Sequence, residues 1–191
     1  VLLQEQDLYP PALPETLPEQ VRQSIQNHYA RQGRRYSAES LLQGAYAEYK
    51  KDPAGFSPWM TRQNTWETAL AERVVYVVTD VTLPLGGREQ TSCQVGAAFD
   101  RTTGEKLSFW SLCAVPEAEA KEMLLGQVDP EDPRRAPMLE ALTEDMVVIA
   151  SDHYRISYPL GTLPGEELGT LLSGELPEGL LQPWAVPEAQ S

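Results

Sequence analysis

The residues from Val74 onward constrain the fold more than any other part of the sequence. The first run is dense in valine, tyrosine and threonine, which favour extended strands. Gly86-Gly87 then turns the chain, because glycine tolerates positive φ, and Glu89–Phe99 returns with apolar residues at alternate positions. Asp100–Gly104 has the residue types of a tight turn and precedes another run, Glu105–Leu112. This pattern predicts an antiparallel meander of three or four strands.

Two amphipathic helices are predicted ahead of the meander. The first begins after Thr16, which forms a capping-box pattern with Glu19, and it ends at Gly33. The second is capped by Ser37 and ends before Pro53. Apolar residues recur at helical spacing and are expected to face the core: Leu17, Val21, Ile25 and Tyr29 in the first helix, and Leu41, Leu42, Ala45, Tyr46 and Tyr49 in the second.

Short helices and strands alternate in the remaining sequence. Helices are predicted after Pro116 and around Pro137–Leu142, and strands at Met146–Ala150 and Tyr154–Tyr158. Because grouped helices precede grouped strands, we expect one α+β unit. It contains an antiparallel sheet of four to six strands with helices packed mainly on one face. The residues predicted to point inward are Val75, Val77, Val95, Ala97, Phe99, Leu107, Phe109, Val148 and Ile156.

The chain divides into three predicted segments. Residues 1–70 form a helical segment with a first strand, Trp59–Leu70, packed on the rest. Residues 71–175 form the α+β domain. Residues 176–191, which contain several prolines, are expected to be a loosely ordered tail.

The net charge limits the classes of partner. It is −13, from 28 acidic and 15 basic residues, which argues against nucleic acid because a phosphate backbone attracts lysine and arginine. It permits a cationic partner, although solubility alone also explains it. No window has the roughly 18 apolar residues that a membrane span requires. The chain begins at Val1 and not at Met, which leaves open a removed leader or anchor.

The two cysteines, Cys93 and Cys113, flank the turn at Thr102–Thr103. If the neighbouring runs pair about this turn, Cys93 lies opposite residue 112 or 113. Directly opposed residues have Cβ atoms about 4.5–5.5 Å apart, close to the reach of a disulfide. A bridge would favour an oxidising compartment, and the alternative is two buried thiols.

No catalytic or metal-binding motif is present in the sequence. His28 lies beside the apolar stripe of the first helix, where a structural or surface role is expected. His153 follows Asp152, and such a pair can orient a general base, but there is no Gly-x-Ser-x-Gly or comparable nucleophile motif. Gly86-Gly87 lacks the lysine of a phosphate loop. We therefore predict no enzymatic activity, no metal and no cofactor.

The turns and strands from Val74 to Leu172 resemble a known bacterial domain. It is the extracytoplasmic domain of unknown function at the C-terminal end of RsiV-type anti-sigma factors, which also accompanies some peptidoglycan deacetylases. The residues that carry the resemblance are Gly86, Gly87, Phe99, Asp100, Thr103, Gly104, Leu107, Tyr154, Ile156, Tyr158, Gly161, Pro164 and Leu168.

The resemblance implies an outward-facing domain of the cell envelope, tethered by a membrane helix or a lipid outside this chain. In the anti-sigma branch it implies recognition of lysozyme, a strongly cationic protein. The predicted function is therefore non-enzymatic binding or sensing. Asp152, Tyr154 and Tyr158 are the predicted binding residues, because loops on a rigid sheet concentrate such residues. The alternatives are an accessory domain of a cell-wall hydrolase or deacetylase, and a structural lipoprotein.

Overall fold

The computed structural model describes residues 1–6, 10–85, 89–165 and 169–189. The strands are β1 (Leu3–Gln6), β2 (Trp59–Leu70), β3 (Val74–Leu85), β4 (Glu89–Asp100), β5 (Lys106–Leu107), β6 (Val147–Ile149), β7 (His153–Tyr158) and β8 (Thr170–Glu175). The α-helices are α1 (Glu19–Gln32), α2 (Ala38–Lys51), α3 (Phe109–Leu112), α4 (Glu117–Leu124) and α5 (Arg135–Ala141), with single 3₁₀ turns at Glu144–Met146 and Pro183–Ala185. The predicted turn at Gly86-Gly87 and the matched Leu168 lie outside the described residues.

The predicted meander is confirmed as the centre of a five-stranded sheet in the order β1-β2-β3-β4-β5. β3 pairs with β4 in one continuous antiparallel register, from Val74 opposite Asp100 to Leu85 opposite Glu89. β2 has the bounds expected from the sequence and pairs with β3 antiparallel. β1 joins β2 in parallel, so the sheet is mixed at this edge.

A second sheet, β6-β7-β8, is antiparallel throughout. The sequence predicted its first two strands but not their separation from the meander. β6 crosses β4 at Gly96, where a Cβ atom would lie 1.8 Å from the carbonyl oxygen of Val147. Only glycine therefore allows this close approach of two backbones. The α+β class is confirmed.

Two hydrophobic clusters use alternate residues of β3, and alternate residues of a strand point to opposite faces. Val75 and Val77 pack with Phe99 and with α1. Val74 and Tyr76 belong to the larger cluster, which includes residues of α4, α5 and the second sheet. The sequence predicted helices mainly on one face, whereas helices contribute to both clusters. Of the predicted inward residues, Val75, Val77, Phe99, Phe109, Val148 and Ile156 are buried, and Val95, Ala97 and Leu107 are partly exposed.

The ends of the first two helices test the capping predictions. The prediction at Thr16 is wrong, because α1 begins at Glu19, Pro18 is its N-cap, and no side chain caps it. Gly33 ends α1 as predicted, with φ of 63° and its N–H donating to the carbonyl of Tyr29. Ser37 caps α2 as predicted, since its side chain accepts a hydrogen bond from the backbone N–H of Ser40.

The predicted inward face of α2 is largely uncovered. Ala45 is fully buried, but Leu42, Tyr46 and Tyr49 are 46%, 50% and 38% exposed. The helix packs against the sheet through the side next to this apolar face. There Glu48 accepts a hydrogen bond from the indole N–H of Trp59 at 2.8 Å. Helical spacing identified the apolar stripe correctly but did not predict which part of it the sheet covers.

The predicted strand Glu105–Leu112 is wrong beyond Leu107, because the chain turns into α3. A distant residue stabilises this turn: the Glu144 carboxylate accepts hydrogen bonds from the Ser108 hydroxyl at 2.6 Å and from the Phe109 N–H at 2.8 Å. A carboxylate at a helix N-terminus satisfies N–H groups that otherwise lack partners. The sequence around α3 contains no sign of this long-range contact.

The prediction that the two cysteines lie on neighbouring strands is wrong, because the chain forms α3 before it reaches Cys113. Cys93 lies on β4 opposite Val81. Cys113 follows α3, and its backbone pairs with that of Leu181 in an isolated antiparallel β-bridge. Both are free thiols and do not lie on neighbouring strands. Burial raises the pKa of both thiols, that of Cys113 to about 11, so both stay protonated at neutral pH.

The C-terminal segment is packed, not loosely ordered as predicted. Leu180, Leu181 and Ala185 are buried in the larger cluster. The Tyr76 hydroxyl donates a hydrogen bond to the carbonyl of Ala185 at 2.6 Å. Across the described residues, no helix is both long enough and apolar enough to cross a bilayer.

Candidate functional site

Asp152 lies in the turn before β7, and its side chain is 87% exposed. Its carboxylate is 2.9 Å from Nδ1 of His153, and this hydrogen bond is the main cause that lowers the pKa of Asp152. The Ser151 hydroxyl also donates to the same carboxylate oxygen, at 3.5 Å. Asp152 is thus exposed, and the binding role predicted for it stays a prediction.

Tyr154 and Tyr158 do not share this exposure. Both are buried, at 3% and 1% exposure, within the larger cluster. Their hydroxyls donate to backbone carbonyls, that of Tyr154 to Leu124 and that of Tyr158 to Met138. Burial raises the pKa of both phenols. These tyrosines connect the second sheet to α4 and α5, so the structure does not bring them together with Asp152 in an exposed binding patch.

A polar cluster between the sheets was not predicted from the sequence. Asp80 on β3 lies opposite Gln94 on β4. Arg155 of β7 is close enough to Asp80 to act on the pKa of its carboxyl group. Burial raises the pKa of Asp80, while Arg155 and Arg62 oppose this shift. The Ser157 hydroxyl accepts a hydrogen bond from the Gln94 N–H at 3.0 Å. The signal in the sequence was Asp80 itself, the single acidic residue in the valine-rich run.

A cavity of about 490 Å³ lies between α1 and β2. Two of its polar side chains, Arg34 and Gln63, are engaged with the protein itself. Arg34 pairs with Glu5 at 2.7 Å, and the Gln63 side chain donates to the carbonyl of Gly33 and accepts from the N–H of Arg35. The remaining walls include Pro10, Pro11, Tyr29 and Ala30. The cavity therefore presents mainly apolar surface and no charged group without a partner.

Metal ligands are not clustered in the part of the chain that the structure describes. No group of three or more histidine, cysteine or acidic side chains there could hold a metal ion. His28 packs edge-on against Phe99, with ring centroids 5.3 Å apart, and burial is the main cause that lowers its pKa. This is the structural role, one of the two predicted for His28.

Charge divides the chain into two unequal parts. Residues 1–108 contain 13 acidic and 11 basic residues, whereas residues 109–191 contain 15 acidic and 4 basic residues. We call residues 109–191 the acidic half. It therefore holds −11 of the total charge of −13. It comprises α3–α5, the second sheet and the C-terminal segment.

Several carboxylates of the acidic half are exposed and form no ion pair with a described residue. Glu119 and Glu140 lie on α4 and α5, which the ion pair between Glu122 and Arg135 connects. Glu175 ends β8 opposite His153, so it lies next to the turn that carries Asp152. Glu178 is exposed shortly after β8. Negative charge thus gathers on the paired helices and at one end of the second sheet.

Comparisons with known proteins find similarity at the level of the fold. No protein-family model matches the sequence, and no curated protein is recognisably similar to it. A crystal structure of a DUF3298 family member from Bacteroides fragilis matches with a TM-score of 0.54 and 11% identity, over 86% of this chain and 79% of that chain. A DUF3298 family protein from Pseudomonas aeruginosa matches with a TM-score of 0.42 and 18% identity, over 76% and 72% of the two chains. The first likeness shows a shared fold with a domain of unknown function.

Proposed function

We propose that this chain is a non-enzymatic binding domain on the outer side of a bacterial membrane, and that its acidic half binds a cationic protein. Lysozyme is the first partner to test, because the resemblance to RsiV-type anti-sigma factors implies it. The observation that supports the proposal is the concentration of −11 charges in residues 109–191. A one-signed field of this kind attracts a partner of opposite charge and raises the association rate.

The proposed contact surface combines the exposed carboxylates of α4 and α5 with the end of the second sheet. Glu119, Glu140, Glu175 and Glu178 are exposed there, and Asp152 keeps its predicted role. A carboxylate that forms no ion pair within the protein can form one with a partner. Glu117, in contrast, is already paired with Lys121 at 2.8 Å. Tyr154 and Tyr158 support the surface from beneath and do not contact the partner.

The geometry of the turn around His153 supports a non-enzymatic role. In a serine hydrolase the nucleophile donates to the histidine, and the acid accepts from the other ring nitrogen. Here the Ser151 hydroxyl donates to the same Asp152 oxygen that contacts His153. The serine is therefore not aligned with a base. We expect no turnover of peptidoglycan or ester substrates, and activity that His153→Ala abolishes would overturn this part of the proposal.

The binding test is a calorimetric titration with a c-type lysozyme at low salt. A variant with Gln at Glu119, Glu140, Glu175 and Glu178 should bind roughly tenfold more weakly, because four exposed ion pairs contribute a few tenths of a kcal/mol each. The matched control has Gln at four exposed acids of residues 1–108 and removes the same net charge. Its affinity should change far less. The control positions are Glu15, Glu19, Glu72 and Glu105.

Salt provides a second measurement. Charge-steered binding should weaken as ionic strength rises past about 0.15 M, where the Debye length is about 8 Å. Binding that is unchanged in 1 M salt, or that falls equally in both quadruple variants, would contradict a role for the acidic half. Absence of binding to any c-type lysozyme would remove the sensing function and leave the fold unaffected.

A further inference from the structure

One face of α2 is an apolar surface that stays about half exposed in the described structure. We call it the α2 stripe and define it as Leu42, Tyr46, Tyr49 and the neighbouring Phe56. The rings of Tyr49 and Phe56 meet edge to face with centroids 5.6 Å apart, so the stripe is continuous. Leu42, Tyr46 and Tyr49 are between 38% and 50% exposed. Contiguous exposed apolar residues on a folded surface commonly mark an interaction site.

The position of α2 on the sheet explains why the stripe is free. Gly44 lies against the Trp59 ring so closely that a Cβ atom would be 2.8 Å from it. Ala45 is buried and Glu48 accepts the indole hydrogen bond of Trp59. These contacts fix the helix through one side. Because the helix is held in this way, the stripe cannot turn inward without breaking them.

The charges beside the stripe are self-complementary. Successive residues of a helix are about 100° apart, so Glu39 and Lys50 fall on the same flank of Leu42, at about 60° and about 80° from it. They lie about 16 Å apart along the helix axis. Lys50 is already at the edge of the stripe, with its Nζ 4.7 Å from the centre of the Tyr46 ring. One end of this flank is therefore acidic and the other basic.

We propose that the α2 stripe is a dimer contact, in which α2 helices from two copies of this chain pack antiparallel about a two-fold axis. The midpoint between Glu39 and Lys50 falls near Ala45. An antiparallel pair centred there places Glu39 of each copy opposite Lys50 of the other, and the two-fold axis repeats the pair. Parallel packing about a two-fold axis would instead place the two charged flanks on opposite sides of the contact, so that neither pair forms. The charge pattern thus selects a second copy, in one orientation, as the occupant.

Sedimentation velocity over a range of concentrations tests the proposal. The wild-type chain should show a reversible monomer–dimer equilibrium, and Tyr46→Glu should shift it to monomer. The matched control is Leu171→Glu, at a residue on β8 that is 57% exposed and far along the chain from α2. It introduces the same charge at another exposed apolar position and should leave the dimer intact. Circular dichroism confirms that each variant is folded.

A charge exchange distinguishes the proposed register from non-specific association. Lys50→Glu should weaken the dimer roughly tenfold, because it places like charges at both symmetry-related contacts. Adding Glu39→Lys to that variant should restore the dimer to within about threefold of wild type. A wild-type chain that stays monomeric at millimolar concentration would overturn the proposal. So would a dimer that the double variant fails to restore, or that Leu171→Glu disrupts as strongly as Tyr46→Glu does.

Discussion

The helices α1 and α2 have the same length of 14 residues, and each has apolar residues at helical spacing, yet the sheet covers them differently. α1 buries Val21 and Ile25 completely, against Val75, Val77 and Phe99. α2 buries only Ala45 fully and leaves Leu42 and Tyr46 exposed. The comparison shows that an apolar stripe specifies a helix face, while the strand beneath decides whether that face enters the core.

The difference follows from where each helix meets the sheet. α1 packs on two inner strands, β3 and β4, whose valines and phenylalanine match its stripe. α2 packs near Trp59 at the start of β2, beside the edge strand β1. An edge offers less apolar surface than a centre, because fewer strands lie beneath the helix. The two helices should therefore respond very differently to matched substitutions.

The largest expected difference is between Ile25→Ala and Leu42→Ala. Ile25 is fully buried, so its truncation should lower the free energy of unfolding by about 2–5 kcal/mol through lost burial and the cavity that remains. Leu42 is 46% exposed, and its truncation should change stability by no more than about 0.5 kcal/mol. Urea titration at a dilution where the chain is monomeric measures both. Similar losses in the two variants would contradict the comparison.

The helix N-termini should show a smaller difference. Ser37→Ala removes the side-chain acceptor for the Ser40 N–H and should cost about 1 kcal/mol. Thr16→Ala is the matched substitution before α1, where no side chain caps the helix, and it should stay within about 0.5 kcal/mol of wild type. Thermal unfolding of both variants gives the result. A larger loss of stability from Thr16→Ala than from Ser37→Ala would indicate that the capping box expected from the sequence does form.

The smallest effect at neutral pH concerns Tyr29, the last apolar residue of the α1 stripe, because its influence on stability changes only above pH 10. Burial is the main cause that raises the pKa of Tyr29 to about 12 from 10.0. Folding therefore favours the neutral phenol. This contribution to stability is complete below pH 10 and is lost as the pH rises from about 10 to about 12.

Tyrosinate absorbance provides the measurement. Tyr29→Phe should remove one ionisation near pH 12 from the folded protein and reduce the loss of stability in that pH range. Tyr46→Phe, the matched change in the α2 stripe, should leave this ionisation in place. If the component near pH 12 persists in Tyr29→Phe and disappears in Tyr46→Phe, then the two stripes have been assigned the wrong environments.

The candidate site divides in the same way as the helices. Asp152 was predicted as a binding residue, and it is exposed because it lies in a turn before a strand, at the surface. Tyr154 and Tyr158 were predicted to bind with it but are buried, since their hydroxyls reach carbonyls of α4 and α5. The concentration of charge in the acidic half was readable from the sequence alone. Its grouping on α4, α5 and the end of β8 required the fold.

The sequence by itself determined the features that depend on a few neighbouring residues. These are the Ser37 cap, the Gly33 helix end, the pairing of β3 with β4 and the α+β class. The tertiary structure alone decided the contacts between distant residues, such as Glu144 with α3. It also decided the burial of the C-terminal segment, the separation of the two thiols and the exposure of the α2 stripe. The physical reason is that capping and strand alternation are satisfied by local hydrogen bonds and periodicity, whereas burial depends on which distant surface arrives to cover a face.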